Sequence, residues 1–232
     1  MKKSAVFFLA TLSTLFAVQI AKAITITDWT FETSLPATAG PFSPEIGSGS
    51  ASGSHAGASV YSSPAGNGSS HSFSSTIWAV NDYYQFSVSS IGFQNIRLSF
   101  DQTSSSTGPG KFLLVYSTDS VSFSPFGSDY SVSATSWSSG THITTTTFTD
   151  DLSTIVGLNN SPDVYFRLVS DALVTAGGAT VTAFNTAGTD RVDNFIVSGT
   201  AISAPEQTST LALAAIGFSA CFAFRRWAVC LS

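Results

Sequence analysis

Cysteine is nearly missing from this sequence. Its two cysteines, Cys221 and Cys230, lie close to the C-terminus, so no disulfide framework can hold the rest of the chain. Charge is scarce as well, at 10% of residues, and basic charge is scarcer. Between Ile24 and Ser203 only Arg97, Lys111, Arg167 and Arg191 stand against thirteen acidic residues, a net charge near −9. That balance excludes nucleic acid as a partner, because duplex affinity is built by neutralising phosphates with Lys and Arg. No repeat with a period of about 20 to 50 residues is present, which excludes solenoids and propellers.

The motifs of common chemistries are also lacking. Nucleophilic hydrolases place serine in a G-x-S-x-G elbow, whereas the glycine run here, Gly47 to Gly53, reads G-S-G-S-A-S-G and is expected to be loop. The three histidines, His55, His71 and His142, are far apart and form no H-x-x-x-H pair, so zinc has no sequence support. His55 and His71 fall in a Ser/Gly-rich stretch and are expected at the surface. Asp150-Asp151 is the densest carboxylate pair, but neighbours on a strand face opposite ways, and a turn or cap role is expected. No catalytic residue is assigned, and the chain reads as a non-enzymatic protein.

What is present begins with the two ends. Residues 1–23 carry Lys2 and Lys3, an apolar stretch from Ala5 to Ile20, and the small-residue site Ala21-Lys22-Ala23. This is the three-part pattern of a secretory signal helix, with cleavage expected after Ala23. At the other end, residues 204–232 run from Pro205-Glu206 through Thr208-Ser209-Thr210 to a mostly apolar segment, Leu211 to Phe224, and then Arg225-Arg226. Such a segment forms a hydrophobic helix that flanking residues can extend toward a membrane span, and paired arginines stay cytoplasmic. The body would then lie outside the inner membrane.

The order of parts in this tail resembles the PEP-CTERM sorting signal, with Gln207 standing where the family has proline and Trp227 to Ser232 following the arginines. The resemblance implies an exosortase-like membrane protease as partner and release near Pro205-Glu206. It also implies an anchored intermediate at the inner membrane and delivery to the cell surface or extracellular matrix.

Residues 24–203 are rich in Ser, Thr, Gly and Phe, a mix that suits strands joined by small-residue turns. Ile24 to Phe31 reads as a first strand that brings Ile24 and Ile26, with the offset Trp29 and Phe31, toward a core. Thr33 to Ser75, with its prolines and glycines, reads as loop. Further strands are expected at Tyr83–Val88, Gln94–Phe100, Lys111–Ser117, Val121–Phe126, Ser131–Trp137, His142–Phe148, Val164–Ser170 and Arg191–Ser198. Phe86, Val88, Ile96, Leu98 and Phe100 are the expected core. The fold class is therefore all-β, a two-layer antiparallel β-sandwich of jelly-roll type, flanked by the signal helix and the C-terminal helix.

Trp29-Thr-Phe-Glu32 and Arg191-Val-Asp-Asn-Phe-Ile-Val197 resemble the opening and closing strands of jelly-roll modules in bacterial extracellular proteins, carbohydrate-binding ones among them. That resemblance implies a structural calcium ion near Glu32 and Asp193, with Asp190 and Asn194 as weaker members. Independently, exposed aromatic rings can stack on sugar rings, which makes Trp78, Tyr83 and Trp137 candidates for contact with an extracellular polysaccharide. The two functions consistent with these observations are adhesion or matrix structure at the cell surface, and carbohydrate binding by a calcium-stabilised module.

Overall fold

A computed structural model describes residues 22–202 of the protein. The expected signal segment with Ala21, and the expected sorting tail with Pro205, Glu206, Arg225 and Arg226, lie outside the described residues. Among the described residues no helix is long and apolar enough to cross a membrane.

The body is an antiparallel β-sandwich of two six-stranded sheets, as expected. The first sheet runs β10 (Thr147–Asp151), β6 (Phe93–Ser104), β12 (Thr189–Ala201), β4 (Phe73–Thr76) and β3 (Tyr61–Ser62), and β1 (Ile24–Trp29) also pairs with β12. The second runs β2 (Gly49–Ser54), β5 (Tyr83–Val88), β11 (Val164–Ser170), β7 (Lys111–Ser117) and β8 (Ser124–Pro125), with β9 (Tyr130–Ser131) also on β7. The chain changes sheet at every connection except β3–β4, β7–β8 and β8–β9.

Strict alternation explains the clearest strands. In β5, Tyr84, Phe86 and Val88 point inward while Tyr83, Gln85 and Ser87 point outward, and in β11 Val164, Phe166 and Leu168 point inward. All five expected core residues are buried. Phe86 and Phe195 stack flat between the sheets, with Trp29 edge-on to both. Each such ring removes a large apolar area from water, and the edge-to-face contacts add about 0.5–1.5 kcal/mol apiece.

Several expectations fail for local reasons. β1 has a bulge between Thr25 and Thr27, so Thr27 and Trp29 face the core and Ile24 is exposed. Gly47 to Gly53 is not loop, since Gly49–Ser54 forms β2 against β5. Ser131–Trp137 and Val121–Phe126 contribute only the short β9 and β8. Within His142–Phe148 a 3-10 turn at Thr144–Thr146 precedes β10. Asp150 and Asp151 lie in β10 rather than in a turn, and Asp151 takes a 2.9 Å ion pair from Arg97 across the strands.

β12 organises the first sheet. Its first half pairs with β4 and its second half with β1 on the same side, and the change-over falls at a bulge between Asp193 and Ile196. Asn194 sits there with φ +48°, a left-handed conformation that asparagine tolerates better than most residues.

Candidate functional site

The outward face of the second sheet carries the most distinctive surface. Register places Tyr83, Gln85 and Ser87 of β5 beside Val169, Arg167 and Tyr165 of β11, with Ser54, Ser52 and Ser50 of β2 on the other side. The Arg167 guanidinium carbon lies 4.1 Å from the Tyr83 ring centre and 3.6 Å from that of Phe123, which arrives on the segment before β8. Its Nε–H donates to Gln85 Oε1 at 2.8 Å. The guanidinium is therefore sandwiched and oriented, and its other N–H groups remain for a ligand. Burial pulls its pKa below the usual arginine value, opposed by Tyr83, and no carboxylate pairs with it among the described residues.

Of the three aromatic candidates, only Tyr83 is placed to meet a ligand. Trp78 is 4% exposed, donates its indole N–H to Ser75 O, and packs edge-on against Tyr84 and Phe112 in the core. Trp137 is 6% exposed and donates to Thr146 Oγ1. Both rings are held under the surface by these contacts. Arg167 and Phe123 were not legible in the sequence as site residues. The alternation of β11 does place Arg167 outward, which was the available signal.

Glu32 and Asp193 grip one loop from two sides. Glu32 Oε1 accepts from the His71 amide at 2.7 Å, and Asp193 Oδ2 accepts from the Asn67 amide at 2.9 Å and from Ser69 Oγ at 2.6 Å. Asn194 N–H donates to Asp193 Oδ1 at 2.9 Å. Gly66 must be glycine, because an added Cβ would stand 2.1–2.2 Å from His71 O, Ser69 Oγ and Asp193 Oδ2. Calcium takes about six to eight oxygens at roughly 2.3–2.6 Å. Here N–H and O–H donors already face the carboxylate of Asp193, and no group of three His, Cys, Asp or Glu residues converges among the described residues. The donor set does not fit a calcium site, and the two carboxylates act as anchors of the loop. Asn194 Nδ2 donates instead to Asp101 Oδ2 at 2.8 Å, beside His142.

Asp190, the other weaker calcium candidate, faces inward and is fully buried. Gln102 Nε2 donates to its Oδ1 at 3.0 Å, and Gln102 is itself oriented by Tyr130 O–H. Ser104 Oγ lies 2.7 Å from Asp190 Oδ2 and 2.6 Å from Pro109 O. One hydroxyl proton cannot serve both oxygens, so a protonated Asp190 completes the set, and burial drives its pKa well above the usual carboxylate range in agreement.

The His55 side chain is buried rather than exposed, packed at a tilt against Trp78 and edge-on to Tyr61. Its Nδ1 lies 3.1 Å from Asp82 Oδ2 and its Nε2 lies 3.1 Å from Ser75 Oγ. This is the residue order of an acyl-transfer triad, but Ser75 is fully buried in β4 and its hydroxyl meets Tyr84. The triad order serves packing there, and a substrate carbonyl has no approach.

The fold and surface thus define an antiparallel β-sandwich with an arginine-centred aromatic platform on one outer face. The sequence matches no family model, and it matches no curated protein sequence. Among solved structures it is similar to the K2 cleaved adhesin domain of Lys-gingipain, at 14% identity and TM-score 0.42, covering 75% of this chain and 97% of that one. The K3 cleaved adhesin domain of Lys-gingipain from Porphyromonas gingivalis w83 gives 13% identity and TM-score 0.40, covering 75% and 98%. TmCBM61, solved in complex with β-1,4-galactotriose, gives 9% identity and TM-score 0.35, covering 63% and 85%.

Proposed function

We propose that the protein is a non-catalytic component of the cell surface or extracellular matrix, exported through its N-terminal signal and sorted by an exosortase-like route. Its sandwich supplies adhesion through the outer face of the second sheet, and the ligand class is an extracellular polysaccharide. The observation that carries this reading is the Tyr83–Arg167–Phe123 stack with Gln85 beside it. Rings of this kind cover the apolar face of a sugar, while the guanidinium and the neighbouring serines reach its hydroxyls. Tyr83, Gln85 and Arg167 stand on the paired strands β5 and β11, which keeps these three groups in register at low ordering cost, and Phe123 closes over them from the segment before β8.

Retention of the full-length protein on immobilised matrix polysaccharide, compared with Tyr83→Ala and Arg167→Gln, tests the proposal. Loss of retention in both variants, with unchanged unfolding curves, is the expected result. Retention unaffected by either substitution would remove the second sheet as the adhesive face.

A further inference from the structure

The four basic residues of the body divide into two pairs. Arg97 is bonded to Asp151 and Lys111 to Asp129, whereas Arg167 and Arg191 have no carboxylate partner among the described residues. Arg191 lies on the opposite side of the sandwich from Arg167. In β12, Asp190 and Val192 face inward, so Arg191 faces out from the first sheet, level with Thr103 of β6 and Ser74 of β4. The segment after β9 folds over it, held by Thr103 Oγ1 lying 3.0 Å from Ser133 O and 2.7 Å from Thr135 O. Between that segment and the sheet is a cavity of about 310 Å³, lined by Arg191, Thr189, Ser106, Ser136 and Thr135.

Arg191 is half-buried in this cavity, and among the described residues its side chain makes one hydrogen bond, a 3.5 Å approach of Nη1–H to Ala65 O. Asp190 is near enough for its charge to be felt, but it points to the core, is bonded to Gln102 and Ser104, and forms no ion pair with Arg191. A guanidinium removed from water without a counter-ion gains most from a group that accepts two parallel N–H bonds. The hydroxyls of Ser106, Ser136 and Thr189 form no hydrogen bond among the described residues and stand around the same space. In a body whose charge is otherwise acidic, this is a built exception.

We infer that the cavity around Arg191 is a binding site for one oxyanion, a carboxylate or sulfate group, with the serine and threonine hydroxyls as supporting donors. The anion could be carried by an acidic sugar or be a free inorganic ion, and the chemistry of recognition is the same. The site stands on the face opposite the Tyr83–Arg167–Phe123 platform, so it does not depend on the function proposed for that platform.

The full-length protein has five arginines, which makes the arginine Nε–H region of an NMR spectrum a direct readout, with Arg191→Lys identifying the Arg191 signal. Sodium glucuronate, sodium sulfate and neutral glucose are titrated in turn at low ionic strength. A saturable shift of the Arg191 signal with glucuronate, absent with glucose, is expected. Ser136 is exposed at the rim, so Ser136→Asp should fold normally, set a fixed carboxylate beside the guanidinium, and weaken glucuronate about tenfold or more. Saturation by sulfate at equal or lower concentration supports the site and assigns the free ion as its ligand, whereas tighter glucuronate binding assigns the sugar acid. An Arg191 signal unmoved by either anion overturns the inference, and so does a glucuronate shift that Ser136→Asp leaves unchanged. Movement confined to the Arg167 signal would overturn it while leaving the platform in place.

Discussion

Asp190 shows how burial selects a protonation state. Its two oxygens meet an amide N–H and a serine hydroxyl that is also 2.6 Å from a carbonyl, and the arrangement closes when the carboxyl keeps its proton. The folded pKa is raised above the unfolded value near 3.9, so the folded state holds a proton that the unfolded chain releases. That contribution is complete below the unfolded pKa and is lost as pH rises toward the folded one. Asp190→Asn supplies an amide that donates where the acid did, and it should fold as stably as wild type near neutral pH or more so. Its urea unfolding free energy should also decline less as pH is raised from about 4. Asp190→Leu strands Gln102 and Ser104 and should cost about 1–3 kcal/mol. If Asp190→Asn is as damaging as Asp190→Leu, the residue is a buried carboxylate and the proton assignment is wrong. His55 behaves oppositely: burial lowers its pKa below 6.5, with Asp82 pulling the other way, so its contribution is present above 6.5 and is lost as pH falls through the lowered value. A Tm that declines on acidification below about 6.5, and declines less in His55→Phe, is the expected signature.

The strand is the scale at which the sequence was most readable, and β12 shows where that ended. β5, β7 and β11 occupy the ranges expected from the sequence, β5 from its alternation and β7 from its apolar run, because side-chain character and burial agree there. β2 was hidden because Gly-Ser-Ala-Ser-Gly-Ser carries almost no apolar side chain; it is a strand only because the edge of β5 offers it a ladder. Tyr83 was legible in the candidate site as an aromatic near a strand end, whereas Phe123 was not, since it reaches Arg167 from outside any strand. The bulge in β12 was equally invisible, yet Asn194 at φ +48° turns Asp193 toward the 66–69 segment. Asn194→Gly keeps that backbone, and Asn194→Val should unfold about 1–3 kcal/mol more easily than the glycine variant. Denaturant curves of the pair measure the difference, and equal stabilities would mean that the conformation is not required. Burial pushes the Asp193 carboxyl up to about 7 against three donors that favour its charged form. Its contribution is therefore lost as pH rises from about 4 to about 7. A calcium ion bound there would reverse this trend. Chelation by EDTA should leave Tm unchanged at pH 7.5, and a fall restored by added calcium would show that the loop carboxylates close into an oxygen cage.

At the scale of the whole molecule, the two strands next to the proposed targeting segments are partners. Ile24, the first residue after the expected signal cleavage, opens β1 and pairs with Gly199 of β12, which ends at Ala201. Cleavage after Ala23 and a second cut near Pro205 would therefore remove chain on both sides of one strand pair and leave every strand of the sandwich whole. A signal cut displaced a few residues into β1 would instead strip the edge that pairs with the second half of β12. Since Thr27 and Trp29 lie in the core beyond the β1 bulge, such a species should be recovered poorly or as aggregate. Intact-mass measurement on protein from cells and from the surrounding medium checks this directly. The expected mature species starts at Ile24, lacks the chain from near Pro205 onward, and accumulates outside the cell. Arg225→Ala with Arg226→Ala should shift the balance toward unprocessed protein, because on the proposed route these arginines are the cytoplasmic anchor of the tail and lie outside the sandwich. Recovery of tail-bearing protein from the membrane fraction alone would reject the sorting route and leave an anchored, outward-facing domain. The platform around Arg167 would remain on that domain, with a reach set by its tether.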